Sequence, residues 1–195
     1  PCYDLSQVQP QLEHQSNGVG APYIHASGRS SRDYATLVKA VQGLQVKTVI
    51  HGRKYNFRRL EIPANVEIGE LVSKDEYLRL VRHTEIEVVP LRRQFRPAGS
   101  SQVVFSMMMG KPLVVTANPG MAEIVGNGAA GLLVEPGNVT AMREAIVYLL
   151  EHPEQATQMG QNARQRYEEQ HTFEHVAQRV RDLLSLVHQA AQGNA

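Results

Sequence analysis

Short β-branched and apolar runs alternate with amphipathic stretches from Tyr23 to about residue 150. The strand-like runs are YIHAS, KTVIHG, NVEIG, IEVVPL, PLVVTAN and GLLVEP. The helical spacing of apolar residues between them predicts helices at Asp33–Leu44, Lys74–Arg82, Ser101–Met109 and Gly120–Val125. Strands that alternate with helices form parallel sheets. The pattern therefore predicts a doubly wound, Rossmann-like α/β fold, with about six strands and helices on both faces of the sheet.

The two ends of the chain lack this alternation. Residues 1–20 are rich in Gln, Ser, Gly and Pro and show no sustained periodicity, so we interpret them as a linker or leading strap. After Asn138 the pattern is purely helical, and Pro153, a residue favoured in the first turn of a helix, begins a further helical stretch. We therefore expect a Rossmann-like domain at 21–152 and a helical C-terminal tail, residues 153–195, packed on the same domain.

Composition excludes several classes of protein. A hydrophobic content of 42% and a charged content of 20% are ordinary for a soluble globular protein. The net charge of +1 gives no global field that would attract nucleic acid or a membrane surface. Cys2 is the single cysteine, so an intrachain disulfide is excluded and a reducing compartment is expected. No apolar run reaches the roughly 18 residues that a transmembrane segment requires.

Basic residues cluster after the predicted strands. Nine of the 20 Lys and Arg residues lie in three loops that follow strands, whereas no Asp or Glu occurs between Glu87 and Glu123. These nine are Arg29, Arg32, Arg53, Lys54, Arg58, Arg59, Arg92, Arg93 and Arg96. The carboxyl ends of parallel strands share one edge, where α/β proteins bind their ligands. This edge therefore suggests an anionic ligand, most simply a diphosphate; the alternative is that the arginines only solvate the surface.

The turn Gly99–Ser101 precedes the third predicted helix. The first backbone N–H groups of a helix are unpaired and favour an anion. Ser100 or Ser101 as an N-cap of its own helix is an equal alternative. His25 lies in a buried strand pattern, which fits a hydrogen-bonded core histidine better than a catalytic base.

The order of several motifs gives the chain a family resemblance. The motifs are ASGRSSRDYATLVKA, TVIHG, NVEIGELVSKDEYLRLV, IEVVPL, GKPLVVTANPGMAEIVGNGAAGLLVEPGN, MGQNARQRY and HTFEHV. In this order and spacing, residues 23–188 resemble the C-terminal, nucleotide-sugar-binding domain of family-4 glycosyltransferases of the GT-B fold. The resemblance implies a nucleotide-diphosphate sugar as donor, transfer with retention, and neither a metal nor a cofactor. It also implies an N-terminal acceptor domain, in the same chain or a partner, that is absent from this sequence.

Site residues follow from the resemblance position by position. The donor diphosphate is expected to contact Gly28, Arg29, Arg32, Gly99, Ser100 and Ser101. The nucleobase and ribose are expected at Gly69, Leu71, Gln102 and Phe105, with Gln102 as a substitute contact one helical turn before Phe105.

The sequence departs from the family at its two signature glutamates. Alignment on Gly110, Lys111 and Pro112 places Pro97 in the first slot and Phe105 in the second, so the catalytic residues are unknown. Each lost charge-assisted hydrogen bond would weaken donor binding by roughly 1.5–3 kcal/mol.

Two functions follow from this mixture of matches and departures. The first is the donor-binding half of a glycosyltransferase, inactive alone, in a protein that is cytoplasmic or peripheral at the inner membrane. The alternative is a degenerate, non-catalytic relative that acts in protein–protein interaction. Nucleic acid is not an expected partner, because aromatic residues are not interleaved with the basic ones.

Overall fold

Six parallel strands form one sheet in residues 22–192, the part of the chain that this computed structural model describes. The predicted linker at residues 1–20 lies outside it. The strands are β1 (Tyr23–Ser27), β2 (Lys47–His51), β3 (Val66–Gly69), β4 (Ile86–Val89), β5 (Leu113–Thr116) and β6 (Leu132–Val134). Their order across the sheet is β3-β2-β1-β4-β5-β6, the order of dinucleotide-binding α/β proteins. The predicted Rossmann-like parallel sheet is confirmed.

Helices follow most of the strands. They are α1 (Tyr34–Val41), α2 (Lys74–His83), α3 (Ser100–Met108), α4 (Met121–Ile124), α5 (Val139–Glu151), α6 (Pro153–Gln170) and α7 (Phe173–Gln192), with a 3-10 turn at Lys54–Asn56. Capping side chains set several of the starts. Asp33, predicted as helical, is instead the N-cap of α1 and accepts a hydrogen bond from Thr36 N at 3.2 Å. Asn138 caps α5 in the same way through Ala141 N at 3.0 Å.

The helices cover both faces of the sheet, as the continuous apolar strands predicted. α1 and α5 pack on one face, whereas α2, α3 and α6 pack on the other. The alternation is visible along β4, where Val88 belongs to the first core cluster and Val89 to the second. On the second face, Tyr167 of α6 is buried together with Phe105 of α3. The sheet edge with the loops predicted to bind the ligand is thus carried by strands buried on both sides.

The two C-terminal helices pack differently. α6 contacts α3 and α5 and buries Ala163 and Tyr167, whereas α7 contacts α6 and exposes its apolar side chains. The exposed apolar residues of α7 are Phe173, Val180, Leu183, Leu184, Leu186 and Val187. The division of the chain at residues 20 and 152 stays a prediction. Among residues 22–192, no helix combines the length and apolar character of a membrane span.

Candidate functional site

The loops after β1 and β4 meet at the carboxyl edge of the sheet. These strands are neighbours, but the chain leaves them towards opposite sides of the sheet, which opens a crevice between the loops. Two backbone hydrogen bonds join the loops, from Arg92 N to Ser31 O at 2.9 Å and from Asp33 N to Pro90 O at 3.0 Å. The sheet topology therefore brings the predicted Gly-Arg loop beside the segment that leads into α3.

Gly28 makes the tight start of the first loop possible. Its φ of +131° is a conformation that side chains rarely adopt, and a Cβ added there would lie 2.4 Å from Nε of Arg32. Gly28 N donates to His51 O at 3.0 Å, which ties the loop to the end of β2. The absence of a side chain at this position thus makes room for the Arg32 guanidinium.

Arg32 fixes the loop to the first turn of α3. Its Nε donates to Ser27 O at 2.8 Å and its Nη1 donates to Ser30 O at 3.2 Å. Its Nη2 donates to Oε1 of Gln102 at 2.8 Å. Only 9% of the residue is exposed, and this burial lowers the pKa of Arg32, although a guanidinium remains charged. Arg32 therefore faces α3, as a diphosphate site requires, but from beneath the surface.

The other eight basic residues of the three loops are exposed, including Arg29. The carbonyl of Arg29 accepts hydrogen bonds from the Tyr55 hydroxyl at 3.1 Å and from Nδ2 of Asn56 at 3.3 Å, so the loop is anchored while its side chain faces solvent. Two of the eight have acidic partners: Lys54 pairs with Glu70 at 3.2 Å and Arg93 with Glu135 at 3.7 Å. The edge therefore combines an exposed cation at Arg29 with a buried one at Arg32.

The start of α3 faces this crevice with unpaired backbone donors. Gly99 occupies the N-cap position at φ +80° and offers no capping side chain, so neither serine is the N-cap. Ser100 and Ser101 form the first turn and are half-buried. The first N–H groups of a helix, together with its dipole, favour an anion. The structure thus brings together the residues predicted for the diphosphate; their role stays a prediction.

A chain of buried polar side chains continues inward from Arg32. Nε2 of Gln102 donates to Oε1 of Glu87 at 2.7 Å, and Oε2 of Glu87 lies 2.8 Å from Nδ1 of His25. Nε2 of His25 lies 3.3 Å from Nδ1 of His51. Glu87 and His25 are fully buried, so the interpretation of His25 as a hydrogen-bonded core residue is confirmed. Both polar ends of Gln102 are already bonded, and a ribose contact would have to replace one of these bonds.

The two signature slots differ in their surroundings. Pro97 is exposed, whereas Phe105 is 7% exposed and meets the ring of Tyr77 edge-on, with the ring centroids 5.8 Å apart. A hydrocarbon ring in this position cannot accept a hydrogen bond from a ribose hydroxyl. The second slot is therefore part of the apolar core on this face of the sheet.

The residues predicted for the nucleobase, Gly69 and Leu71, lie two strands away from β1 along the carboxyl edge. Gly69 ends β3, and its carbonyl accepts a hydrogen bond from Gly52 N at 3.0 Å. Leu71 lines a cavity of about 330 Å³ together with Arg53, Lys54 and Tyr55. The structure thus places the predicted base and phosphate residues on the same edge, and the predicted contacts remain untested.

Sequence reasoning missed Glu87 and His51 as members of this polar chain. The available signal was the acid itself, because Glu87 is the one charged residue in the otherwise apolar run IEVVPL. Buried carboxylates are paired or hydrogen-bonded, so such a residue predicts a partner. Its partner His25 lies 62 positions away in the chain and could be identified only from the strand order.

Comparison with known proteins gives a family match and a similar relative. The family model described as glycosyl transferases group 1 matches residues 18–166. The D-rhamnosyltransferase WbpZ of Pseudomonas aeruginosa is 30% identical over 166 residues, which cover 80% of this chain and 43% of that protein. The chain thus spans less than half the length of this relative.

Solved structures share the fold. Anabaena Alr3699/HepE in complex with UDP and glucose superposes with a TM-score of 0.73 at 19% identity, over 93% of this chain and 51% of that chain. Sucrose-phosphate synthase from Thermosynechococcus elongatus superposes with a TM-score of 0.72 at 21% identity, over 97% of this chain and 50% of that chain. In both cases this chain corresponds to about half of the solved chain.

Proposed function

The chain belongs to the glycosyl transferases of group 1, and from this premise we propose that it is the nucleotide-sugar-binding half of a sugar transferase. In this proposal the carboxyl edge of the sheet binds the donor. The acceptor site lies on a second domain of the longer protein, since this chain spans 43% of its relative WbpZ. Transfer proceeds with retention of configuration and without a metal, as the family resemblance implies.

One observation carries the proposal: Arg32 joins the Gly28 loop to the first turn of α3 beside the exposed Arg29. A diphosphate in the crevice would accept hydrogen bonds from the N–H groups of Ser100 and Ser101 and from the guanidinium of Arg29. The buried charge of Arg32 would add to the field from below. Positive groups that face the departing diphosphate stabilise the charge that develops as the sugar leaves, which is the role of the site in catalysis.

Titration calorimetry tests this proposal. We expect the protein to bind a nucleoside diphosphate, from a panel of UDP, GDP and ADP, in the presence of EDTA. Arg29→Gln should lower that affinity by at least about tenfold, because it removes a charge-assisted hydrogen bond. Lys39→Gln is the matched control, since Lys39 is exposed on α1 away from the crevice, and it should leave the affinity unchanged.

Two results would contradict the proposal. One is a folded protein that binds none of the three diphosphates at millimolar concentration. The other is binding that Arg29→Gln and Lys39→Gln affect equally, because the crevice would then not be the binding site.

The burial of Phe105 favours a second candidate function, a non-catalytic relative that acts in protein–protein interaction. The second signature slot holds Phe105, which packs in the core against Tyr77. The exposed apolar residues of α7 provide a surface for such an interaction. Sugar transfer by the full-length protein from any nucleotide sugar would exclude this candidate, whereas nucleotide binding without transfer or donor hydrolysis would favour it.

A further inference from the structure

The buried polar chain ends at the ligand edge with His51. It runs from Arg32 through Gln102, Glu87 and His25 to His51, with successive contacts of 2.8, 2.7, 2.8 and 3.3 Å. We propose that this row of polar side chains fixes the tautomer of His51. Nε2 of His51 then accepts a hydrogen bond from the nucleoside part of the nucleotide sugar. The inference rests on the proposed function, and it supplies an acceptor where Phe105 provides none.

The direction of the first hydrogen bonds follows from Arg32. A guanidinium has only donors, so the atom of Gln102 that faces Arg32 must be the carbonyl oxygen Oε1. The amide nitrogen of Gln102 then faces Glu87 and donates to it. The two hydrogen-bond partners of Gln102 therefore determine the orientation of its amide.

Charge balance determines the next two bonds. Arg32 and Glu87 contribute one charge of each sign to the cluster, so its net charge is zero when the ring of His25 carries no extra proton. The proposed network has His25 in this form. The carboxylate of Glu87 accepts the proton of Nδ1, which leaves Nε2 of His25 as an acceptor. That atom faces Nδ1 of His51, so Nδ1 of His51 must carry the proton.

A neutral His51 with its proton on Nδ1 has a lone pair on Nε2. Burial is the largest cause that lowers the pKa of His51, and this favours a neutral ring at pH 7. Glu67 and Glu76 act on His51 in the opposite direction, although more weakly. The donors of Arg32 thus determine, through successive hydrogen bonds, that Nε2 of His51 is an acceptor.

The position of His51 suits contact with a nucleoside. It is the last residue of β2, at the carboxyl edge, and its side chain is half-buried. Its ring lies against Gly69, where an added Cβ would stand 2.8 Å from Nε2. This is the segment at which the nucleobase is expected. The groups of a nucleoside that can donate to Nε2 are a ribose hydroxyl and a base N–H.

Nitrogen-15 NMR of the histidine rings tests the tautomer without any ligand. We expect Nδ1 of His51 to be protonated and Nε2 to be unprotonated at pH 7, in a spectrum assigned through His51→Asn. Glu87→Gln should alter which ring nitrogen is protonated in both His25 and His51. The reason is that an amide can donate a hydrogen bond to His25, whereas the carboxylate of Glu87 only accepts one. A proton on Nε2 of His51 in the unmodified protein would overturn the inference.

Binding of modified nucleotides tests the contact itself. The probes are UDP, 2′,3′-dideoxy-UDP, which lacks the ribose hydroxyls, and N3-methyl-UDP, which lacks the base N–H. We expect one of the two modified probes to bind about threefold to tenfold more weakly than UDP, and the probe that weakens identifies the donor. His51→Asn keeps a donor towards His25 but removes the acceptor Nε2. This variant should therefore bind UDP and the weaker-binding modified probe with equal affinity.

The control His175→Asn changes an exposed histidine on α7 and should discriminate between the probes as the unmodified protein does. Thermal denaturation checks that each variant is folded, and Glu87→Gln provides a second test should His51→Asn unfold. Equal discrimination by His51→Asn and the unmodified protein would overturn the inference while leaving the proposed function intact. A failure of the unmodified protein to bind UDP, GDP or ADP would instead overturn the proposed function.

Discussion

At the scale of the residue, Phe105 is a core residue at a position that the family resemblance predicts to contact the ribose. Its ring packs against Tyr77 and belongs to the core cluster of α2, α3 and α6. Phe105→Glu should lower the free energy of unfolding by about 3–5 kcal/mol, because it removes the packed ring and buries a carboxylate. Phe105→Leu should cost less than about 1.5 kcal/mol. Urea denaturation measures both, and equal stability of the Glu variant and the unmodified protein would contradict the burial of this position.

The residues of the candidate site were only partly predictable from the sequence. The loop with Gly28, Arg29 and Arg32 is identifiable because a glycine and two arginines directly follow a strand. The burial of Arg32 is not visible in the sequence, since it depends on a hydrogen bond to Gln102, 70 positions away. The role of His51 in the polar chain likewise requires the pairing of β2 with β1.

At the scale of the element, periodicity predicted where strands and helices lie. The strands are short apolar runs between turn residues, and all six appear in the structure. Helix ends were less predictable, because they depend on individual hydrogen bonds. At the start of α2, Ser73 accepts from Glu76 N at 3.3 Å, but the Glu76 carboxylate binds Arg79 at 2.6 Å instead of completing a capping box.

The contact between α6 and the turn after α3 gives a prediction at this scale. Gly160 lies within α6, and a Cβ added there would fall 2.3 Å from the carbonyl oxygen of Gly110. In an exposed helix, replacing Gly by Ala stabilises by about 1 kcal/mol. Here we expect Gly160→Ala to destabilise the protein by about 1–3 kcal/mol, because the clash with a backbone atom forces α6 away from α3.

Thermal and urea denaturation measure the effect of Gly160→Ala. Gln161→Ala is the control, because it changes the neighbouring, exposed residue of the same helix. A stability of Gly160→Ala equal to or above that of the control would show that α6 does not approach Gly110 so closely.

At the scale of the whole molecule, partly buried histidines make stability depend on pH. Burial is the main cause that lowers the pKa of His51 and of His171 from the ordinary value of 6.5. At a pH just below 6.5, the folded protein therefore binds fewer protons than the unfolded chain. The free energy of unfolding should fall as the pH drops from 7 to about 5.

Urea denaturation at several pH values measures this dependence. His171→Gln should make it shallower, whereas His175→Gln, which changes an exposed residue on α7, should leave its slope unchanged. An unfolding free energy that rises between pH 7 and pH 5 would contradict the sign.

The whole molecule offers a ligand two opposite edges of the sheet. The carboxyl edge carries the crevice between Arg29 and α3, whereas the amino edge holds a cavity of about 590 Å³ lined by residues that include Lys111 and Thr157. Amide chemical shifts recorded during titration with a nucleoside diphosphate distinguish the two. We predict that shifts concentrate at residues 28–32 and 99–101, with Lys111 and Thr157 unchanged. Shifts confined to the amino edge would contradict a donor site at the carboxyl ends of the strands.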